Sequence, residues 1–562
     1  MTSRRPLRDG RRLDYTLALL AGTLLAASFP RFGHPLVAWL ALAPLLVAIL
    51  RRDDRSVPNQ VRHASVLGFI AGTAGFGGTV YWIAPVVRTF GGLPAPLAVL
   101  IAGALVAYLA LYPALFAAAV SRIARRSRGA ALLLAPAVWV GTELARSHLF
   151  GGFPWVLLGY SQTSVLPIAQ LASLFGVYGV SALVASVSAG VTHVLLAPSW
   201  AAFARAASVG AVVAACWGWG SLRLQAGTLT AAGSPMRVAV VQGNVRQEDK
   251  WDPAQANAIF DRYLTMTLDA AQQGAGLVIW PESATPFVFE DDSARSNRIR
   301  DLTRSEGVTL LFGSVQVDRR QTPAAYYNAA FLLRPDGGTA GVYRKVRLVP
   351  FGEYVPLARL LFFVRPVVEG AADFSPGDGV TTLPVDGSAI ATAICYEIVY
   401  PALVRESVRA GGRLLTTITN DAWFGDSSAP HQHFTQAAMR AVEQGRYLVR
   451  SANTGISGIV DPYGRVLARS ALFEPAVLAG DVRLLGGLTV YGRIGDVFAY
   501  GCALLTISAL ASGLRRRSSR RPDVFVNACA ASLIPSASVR YGWNAVARSS
   551  IVRPCPTARA AS

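Results

Sequence analysis

The run "AIATAICYEIVYP", residues 389–401, ends an apolar stretch on Cys395, with Tyr396 and Glu397 directly behind it. Buried cysteines usually pack as small apolar filler. A reactive cysteine needs its thiolate, and therefore a base or a positive charge beside it. Of the six histidines, only His431 and His433, in "PHQHF", lie between residues 222 and 487, so a cysteine–histidine pair has little material. No further ligand spacing accompanies these two, and no metal is expected. Carboxylates and a lysine are the other route to an active thiol.

Only two of the 53 basic residues are lysines, Lys250 and Lys345. A composition this biased has turned nearly every interchangeable lysine into arginine. A surviving lysine therefore points to chemistry that arginine cannot supply, such as close approach of a compact ammonium to a developing oxyanion. Lys345, in "YRKVRLVPFGEYVP", is the stronger candidate, whereas Lys250 fits a residual surface lysine at least as well. Glu282, in "LVIWPESATP", follows an apolar run and a Trp-Pro turn. It should emerge at a strand end, where sites on buried sheets gather. A partly buried carboxylate there is expected to have a raised pKa suited to proton transfer. Glu353 and Glu397 are candidates to position these groups or a substrate.

The elements around these residues read as alternating strands and helices. "MRVAVVQGN", "AGLVIWPES", "VTLLFGSVQ", "YNAAFLLRPDG", "AIATAICYE" and "RLLTTITN" are strand-like runs ended by turn or polar residues. Amphipathic stretches at 253–273, 294–306, 398–410 and 431–445 predict helices between or after them. "GISGIVDPYGRVLARS" carries a Pro-Tyr-Gly hairpin turn. Residues 222–487 therefore predict an α/β domain with buried sheets.

The whole chain is too apolar for an ordinary soluble protein, with 52% hydrophobic and 15% charged residues. Its formal net charge of +20 raises the question of a nucleic-acid partner. The distribution argues against one, because residues 222–487 carry 26 Lys+Arg against 26 Asp+Glu. The excess sits in short arginine clusters between apolar runs. Those runs, near 13–30, 35–50, 64–86, 93–121, 129–145, 166–197, 202–221 and 490–513, predict about eight transmembrane helices. The first is read as an uncleaved span rather than a signal peptide, since another apolar run follows it directly. Arginines cluster before the first run, after the second and fourth, and after the last, which predicts both termini in the cytoplasm. Seven spans in residues 1–221 then place 222–487 on the outer face, with an eighth span in 488–514. The basic tail, 515–562, lacks periodicity and is expected to be disordered. The five cysteines show neither CxxC nor Cys/His spacing, so no disulfide framework is expected.

"WPES", "YRKVRLVPFGEYVP" and "ICYE" come in this order, each at the end or edge of a strand-like run. Together they resemble the Glu–Lys–Cys set of the nitrilase (carbon–nitrogen hydrolase) superfamily. The words "VVQGNVRQEDKWDP", "YNAAFLL", "TNDAWFGDSSAPHQHFTQAAMRAVEQGRYLVRSANTG" and "FGGFPWVLLGYSQ" are similar to the apolipoprotein N-acyltransferase family, over about residues 13–514. The resemblance implies an extracytoplasmic α-β-β-α sandwich standing on a multi-pass bundle in a bacterial plasma membrane. It implies Glu282 as base, Cys395 as nucleophile, and Lys345 with backbone amides stabilising an oxyanion. The implied acyl donor is a membrane phospholipid, and the acceptor is the free amine of a diacylglyceryl-cysteine at a lipoprotein N-terminus. No cofactor is implied, and a monomer is expected. Trp251, Tyr396 and Trp423 match positions near the family's site. Residues 355–370, "VPLARLLFFVRPVVEG", suggest an arm that dips into the interface. A membrane-tethered amidase with water as acceptor is the nearest alternative. A transporter or binding protein with a dead outer domain is less compatible, because the spans hold few ionisable residues besides Glu143 and all three residue types of the Glu–Lys–Cys set are retained.

Overall fold

The computed structural model describes residues 5–52, 59–354 and 374–518. The proposed arm at 355–370 and the tail beyond 518 lie outside the described residues. One contact unit runs from Met1 to Ala511; of the other, Ser512–Ser562, only the end of a helix is described.

Twelve strands are described: β1 Ser234–Gln242, β2 Leu277–Ile279, β3 Thr309–Asp318, β4 Ala325–Leu333, β5 Thr339–Arg344, β6 Thr382–Val385, β7 Ser388–Ile394, β8 Leu414–Thr419, β9 Leu448–Ala452, β10 Gly458–Val460, β11 Val466–Arg469 and β12 Ala476–Leu484. They form two six-stranded sheets, ordered β12-β1-β2-β3-β4-β5 and β11-β10-β9-β8-β7-β6. In each sheet three strands run parallel, β1-β2-β3 and β7-β8-β9, and antiparallel strands flank them. Parallel neighbours need crossover connections. Helices Ala256–Gln272 and Ser293–Glu306 make the crossovers of the first sheet, and Pro401–Arg409 and Ala429–Gln444 those of the second.

Side chains alternate across the strands and so divide the cores. Val238 and Val240 of β1 meet Ile390, Ile394, Leu414 and Ile418 between the sheets. Ala239 and Val241 face the other way, onto Ile259, Phe260 and Tyr263. The outer face of the second sheet, with Ala391 and Leu415, packs on Val404, Ala437 and Ala441. That core continues without a break into Trp155, Leu157, Val177 and Tyr178 from the N-terminal helices. Layers of helix, sheet, sheet and helix result, and the last helix layer is itself covered.

This covering explains helix Ala429–Gln444. Its sequence is amphipathic, yet both faces are buried, and several of its polar residues find partners on the N-terminal helices and loops. Gln432 accepts from Trp155 Nε1 at 2.7 Å and donates to the carbonyls of Pro30 and Thr79. Glu443 accepts from the Val177 N–H at 2.9 Å and from Arg440 at 3.0 Å, while Arg440 also reaches the Tyr160 hydroxyl.

A helix stands at each of the eight apolar runs, among them Arg5–Ala26, Gln60–Thr79, Ala95–Ala124, Arg128–His148 and Val497–Ser518. Among the described residues, only Ala95–Ala124, Ala172–Leu196 and Trp200–Ala231 are long and apolar enough to cross a membrane, or four spans if the pair Gln60–Thr79 and Ile83–Phe90, bent by 55°, counts as one. Length and charge explain the shortfall from eight. Pro35–Leu50 is too short, the first helix begins among arginines and Asp14, and Arg128–His148 carries Glu143 and Arg146. Gly68 and Gly72, four residues apart, seat helix Gln60–Thr79 tightly on Ala95–Ala124, since a Cβ on Gly72 would fall 2.7 Å from the Ala110 Cα.

Replacing Glu443 with leucine strands a fully buried arginine and the Val177 N–H. The expected loss is about 3–5 kcal/mol, read as a lower thermal unfolding midpoint in detergent. An exposed control, Glu306→Ala, should stay within about 0.5 kcal/mol of the parent.

Candidate active site

Glu282, Lys345 and Cys395, which sequence reading joined across more than a hundred residues, meet where the ends of both sheets converge. Glu282 lies just beyond β2. Its segment runs on beside β3, with Trp280 N–H donating to the Leu311 carbonyl and Ala284 N–H to that of Gly313. Gly313 permits this approach, because a Cβ there would come within 2.5 Å of the Ser283 nitrogen. Lys345 leaves β5 with its N–H on the Asn328 carbonyl of β4, at 2.8 Å. Cys395 turns the end of β7 into a short 3-10 helix, Cys395–Val399, at φ +50°. That left-handed conformation costs a non-glycine residue about 1–3 kcal/mol unless its surroundings hold it.

Four side chains form a closed square. Lys345 Nζ donates to Glu282 Oε1 at 3.1 Å and to Glu353 Oε1 at 2.9 Å. Asn328 Nδ2 donates to the same two oxygens at 2.7 and 2.8 Å. The second oxygens accept backbone N–H groups, from Asn420 on Glu282 and from Val349 on Glu353. All four residues are buried. Burial alone would raise Glu282, but the Lys345 charge, the Asn328 amide and Lys250 hold it below the usual carboxylate range. The raised value expected from sequence is therefore reversed: the carboxylate is an ionised acceptor, ready to take a proton. Burial would also strip the charge from Lys345, yet Glu282 and Glu353 keep its pKa well above the lysine range. The Cys395 thiol is pushed up, by burial first and by Glu282 second, with Lys345 opposing. At rest the proton belongs to sulfur and the charge to Glu282.

Glu397 has a structural place. It accepts from the N–H groups of Ile394, Val346 and Arg347 at 2.7, 2.6 and 3.0 Å, and from the Tyr343 hydroxyl. It thus ties the lysine loop to the backbone directly before Cys395. Burial pushes it up to about 7 against the pull of these N–H groups and Lys345.

Lys250 is not the surface residue expected. It is 3% exposed, and its Nζ stands 3.5 Å from the Glu282 carbonyl. Both lysines of the chain therefore converge on one glutamate. Neither histidine contacts the thiol by hydrogen bond: His433 Nε2 meets the Cys395 carbonyl at 3.1 Å, and His431 lies toward Arg469. Tyr396 packs edge-on against Tyr400, and Trp423 against Phe90. Trp251 is 39% exposed beside Lys250, and neither tryptophan joins the hydrogen-bonded set among the described residues. Among the described residues, no group of three or more His, Cys, Asp or Glu side chains is arranged to hold an ion. Asn328, Lys250, Asp421, His433 and Arg450 were not singled out as site residues from sequence. A usable signal was a polar or charged residue inside an apolar strand, as with Asn328 in "YYNAAF" and Arg450 in "LVRSA".

Two six-stranded sheets, layered by helices and carrying a buried glutamate–lysine pair beside a strained cysteine, define a carbon–nitrogen hydrolase domain. The carbon–nitrogen hydrolase model matches residues 237–485. A second model, the apolipoprotein N-acyltransferase N-terminal domain, matches residues 21–190. Apolipoprotein N-acyltransferases of Geobacter metallireducens and Methylococcus capsulatus are 42% and 38% identical to this chain. Each alignment spans 90% of this chain, with 96% of the first relative and 97% of the second. The chain belongs to the apolipoprotein N-acyltransferase family. Among solved structures, an amidase from Nesterenkonia sp. aligns at 24% identity and a TM-score of 0.36, over 48% of this chain and 97% of that one.

With its pKa raised, the Cys395 thiol should alkylate slowly with iodoacetamide at pH 7–8. Its rate should climb about tenfold per pH unit through pH 10, where an ordinary thiol levels off above about 8.5. Peptide-resolved mass spectrometry of the alkylated protein checks this.

Proposed function

We propose that this enzyme moves a fatty acyl group from a membrane phospholipid, through a thioester on Cys395, to the α-amine of an S-diacylglyceryl-cysteine at a lipoprotein N-terminus. The observation that carries the reading is the buried square around Glu282 and Lys345 beside Cys395, on a sandwich whose second helix layer is packed into apolar N-terminal helices.

In the first step ionised Glu282 takes the thiol proton as sulfur attacks the ester carbonyl. Lys345 and backbone N–H groups stabilise the tetrahedral oxyanion, a function that needs donors already fixed in place. The carbon–oxygen bond then breaks, the proton passes from Glu282 to the leaving alkoxide, and a lysophospholipid departs. In the second step the lipoprotein amine attacks the thioester and the carbon–sulfur bond breaks. An amide forms, and one amine proton returns through Glu282 to sulfur. Proton count and charge balance in both steps without a metal or nucleotide.

The same reading assigns residues 222–487 to the catalytic domain on the outer, periplasmic face of the plasma membrane. Residues 1–221 and 488–514 form a multi-pass anchor of about eight spans, both termini are cytoplasmic, and the enzyme acts as a monomer. Glu353 braces Lys345, and Glu397 braces the turn before the nucleophile. Tyr396, Trp251 and Trp423 line the approach of the lipids.

Intact mass of the protein purified from membranes tests the thioester. The parent should carry a fatty-acyl increment that hydroxylamine removes and that Cys395→Ala lacks, and a diacylglyceryl-cysteine peptide should discharge it to an amide. Discharge only to free fatty acid would instead make the protein a hydrolase. No adduct after incubation with phospholipid would overturn the mechanism. Glu282→Gln should form the adduct about 10²–10⁴-fold more slowly.

A further inference from the structure

Cys395 sits at φ +50° at a strand end, and this conformation has to be held on both sides. Glu397 grips the N–H of Ile394, in front of the cysteine. Behind it, the Cys395 carbonyl accepts a hydrogen bond from His433 at 3.1 Å. A carbonyl can only accept, so Nε2 carries a proton, and Nδ1 lies 3.0 Å from Arg450 Nη2. Burial and the Arg450 charge lower the His433 pKa, in keeping with a neutral ring.

The ring is fixed by more than these two bonds. Asp421 lies 3.0 Å from Nδ1, takes the Arg450 guanidinium at 2.8 Å and accepts from the Thr419 hydroxyl at 2.9 Å. Gly455 makes room for it, since a Cβ there would fall 2.4 Å from Asp421 Oδ2. Trp155 tilts over the imidazole at 5.5 Å, and its indole N–H is held by Gln432, the residue next to His433. His433, Asp421 and Arg450 are all fully or nearly fully buried. Arg450 Nε also donates to the Ile456 carbonyl at 3.1 Å, and so large a set of polar groups is costly to bury.

That carbonyl belongs to the planar peptide joining Cys395 to Tyr396. In a trans peptide the C=O and N–H point in opposite directions. Fixing the carbonyl therefore fixes both the direction of the nucleophile's backbone and the aim of the Tyr396 N–H. We propose that His433 is a positioning residue, which orients the Cys395–Tyr396 peptide so that sulfur faces the acyl carbon while the Tyr396 N–H faces the oxygen on that carbon. The proposal rests on the reading of Cys395 as nucleophile. It concerns the acylation rate rather than donor binding.

The test uses the full-length protein in phospholipid–detergent micelles, following hydroxylamine-labile acylation of Cys395 by mass in single turnovers over a range of phospholipid concentrations. His433→Gln places an amide N–H where Nε2 stood, and His433→Asn is the same group one methylene too short. His433→Leu has no donor. The expected result is a maximal acylation rate about 100-fold lower for His433→Leu and His433→Asn. The phospholipid concentration at half-maximal rate should be unchanged, and His433→Gln should recover to within about threefold of the parent. Thermal midpoints report folding, and if His433→Leu fails to fold, the Gln–Asn pair carries the comparison. Equal rates in all variants and the parent would overturn the proposal, as would equal losses in His433→Gln and His433→Asn. A parent that forms no adduct would overturn the nucleophile reading itself, and the proposal with it.

Discussion

A single ammonium held between two carboxylates in a dry interior governs how this site is built. Lys345 is 1% exposed, and an unpaired charge so buried would cost several kcal/mol. Glu282 and Glu353 answer that cost, but two acids around one base leave a surplus negative charge, and the fold meets it with further donors. Asn328 bridges both acids, the N–H groups of Asn420 and Val349 cap their outer oxygens, and Lys250 approaches from the far side. These partners come from the interior of β4, from just past the end of β8 and from the loops after β1 and β5. The ends of both sheets therefore have to stay in register for the charges to remain satisfied.

A second constraint comes from the helix layer between the sandwich and the N-terminal helices. An ordinary crossover helix would show its polar face to water. Ala429–Gln444 is buried almost all round, and Gln432, Arg440 and Glu443 bond to Trp155, Tyr160, the Val177 N–H and the carbonyls of Pro30 and Thr79. Hydrogen bonds of this kind have directions that apolar packing lacks, so they specify how the two halves of the unit meet. The same helix delivers His433 to the carbonyl of Cys395. The geometry around the sulfur is thus built partly from residues that also grip the membrane-type helices.

The sequence showed the parts of this design that are local. Glu282 and Cys395 close apolar runs, and Lys345 survives in a chain that otherwise uses arginine almost throughout, so each is visible without a partner. Every parallel strand except β9, and the crossover helices, were visible for the same reason. Strands β5, β6, β9 and β12 were not, because Pro384 interrupts one, Arg450 another, and edge strands alternate weakly. The pKa of Glu282 was misjudged because burial was visible and the placement of Lys345 and Asn328 against it was not. Lys250 was undervalued because its burial depends on packing against Glu282, 32 residues away along the chain. The eight apolar runs all became helices, but hydropathy does not report that several are short or charged enough to rely on their neighbours.

Lys345 being held as an ammonium also bears on self-damage. A thioester is an activated acyl group, and any free amine within reach would intercept it. An ε-amine kept protonated by two carboxylates has no lone pair to offer. In the proposed thioester route it would stabilise the oxyanion beside the acylated sulfur without becoming acylated itself. With arginine in nearly every other basic position, the chain carries few amines that could compete with the intended acceptor. On that proposed route, suppressing acylation of its own side chains is inherent in the ion pairing that keeps Glu282 ionised.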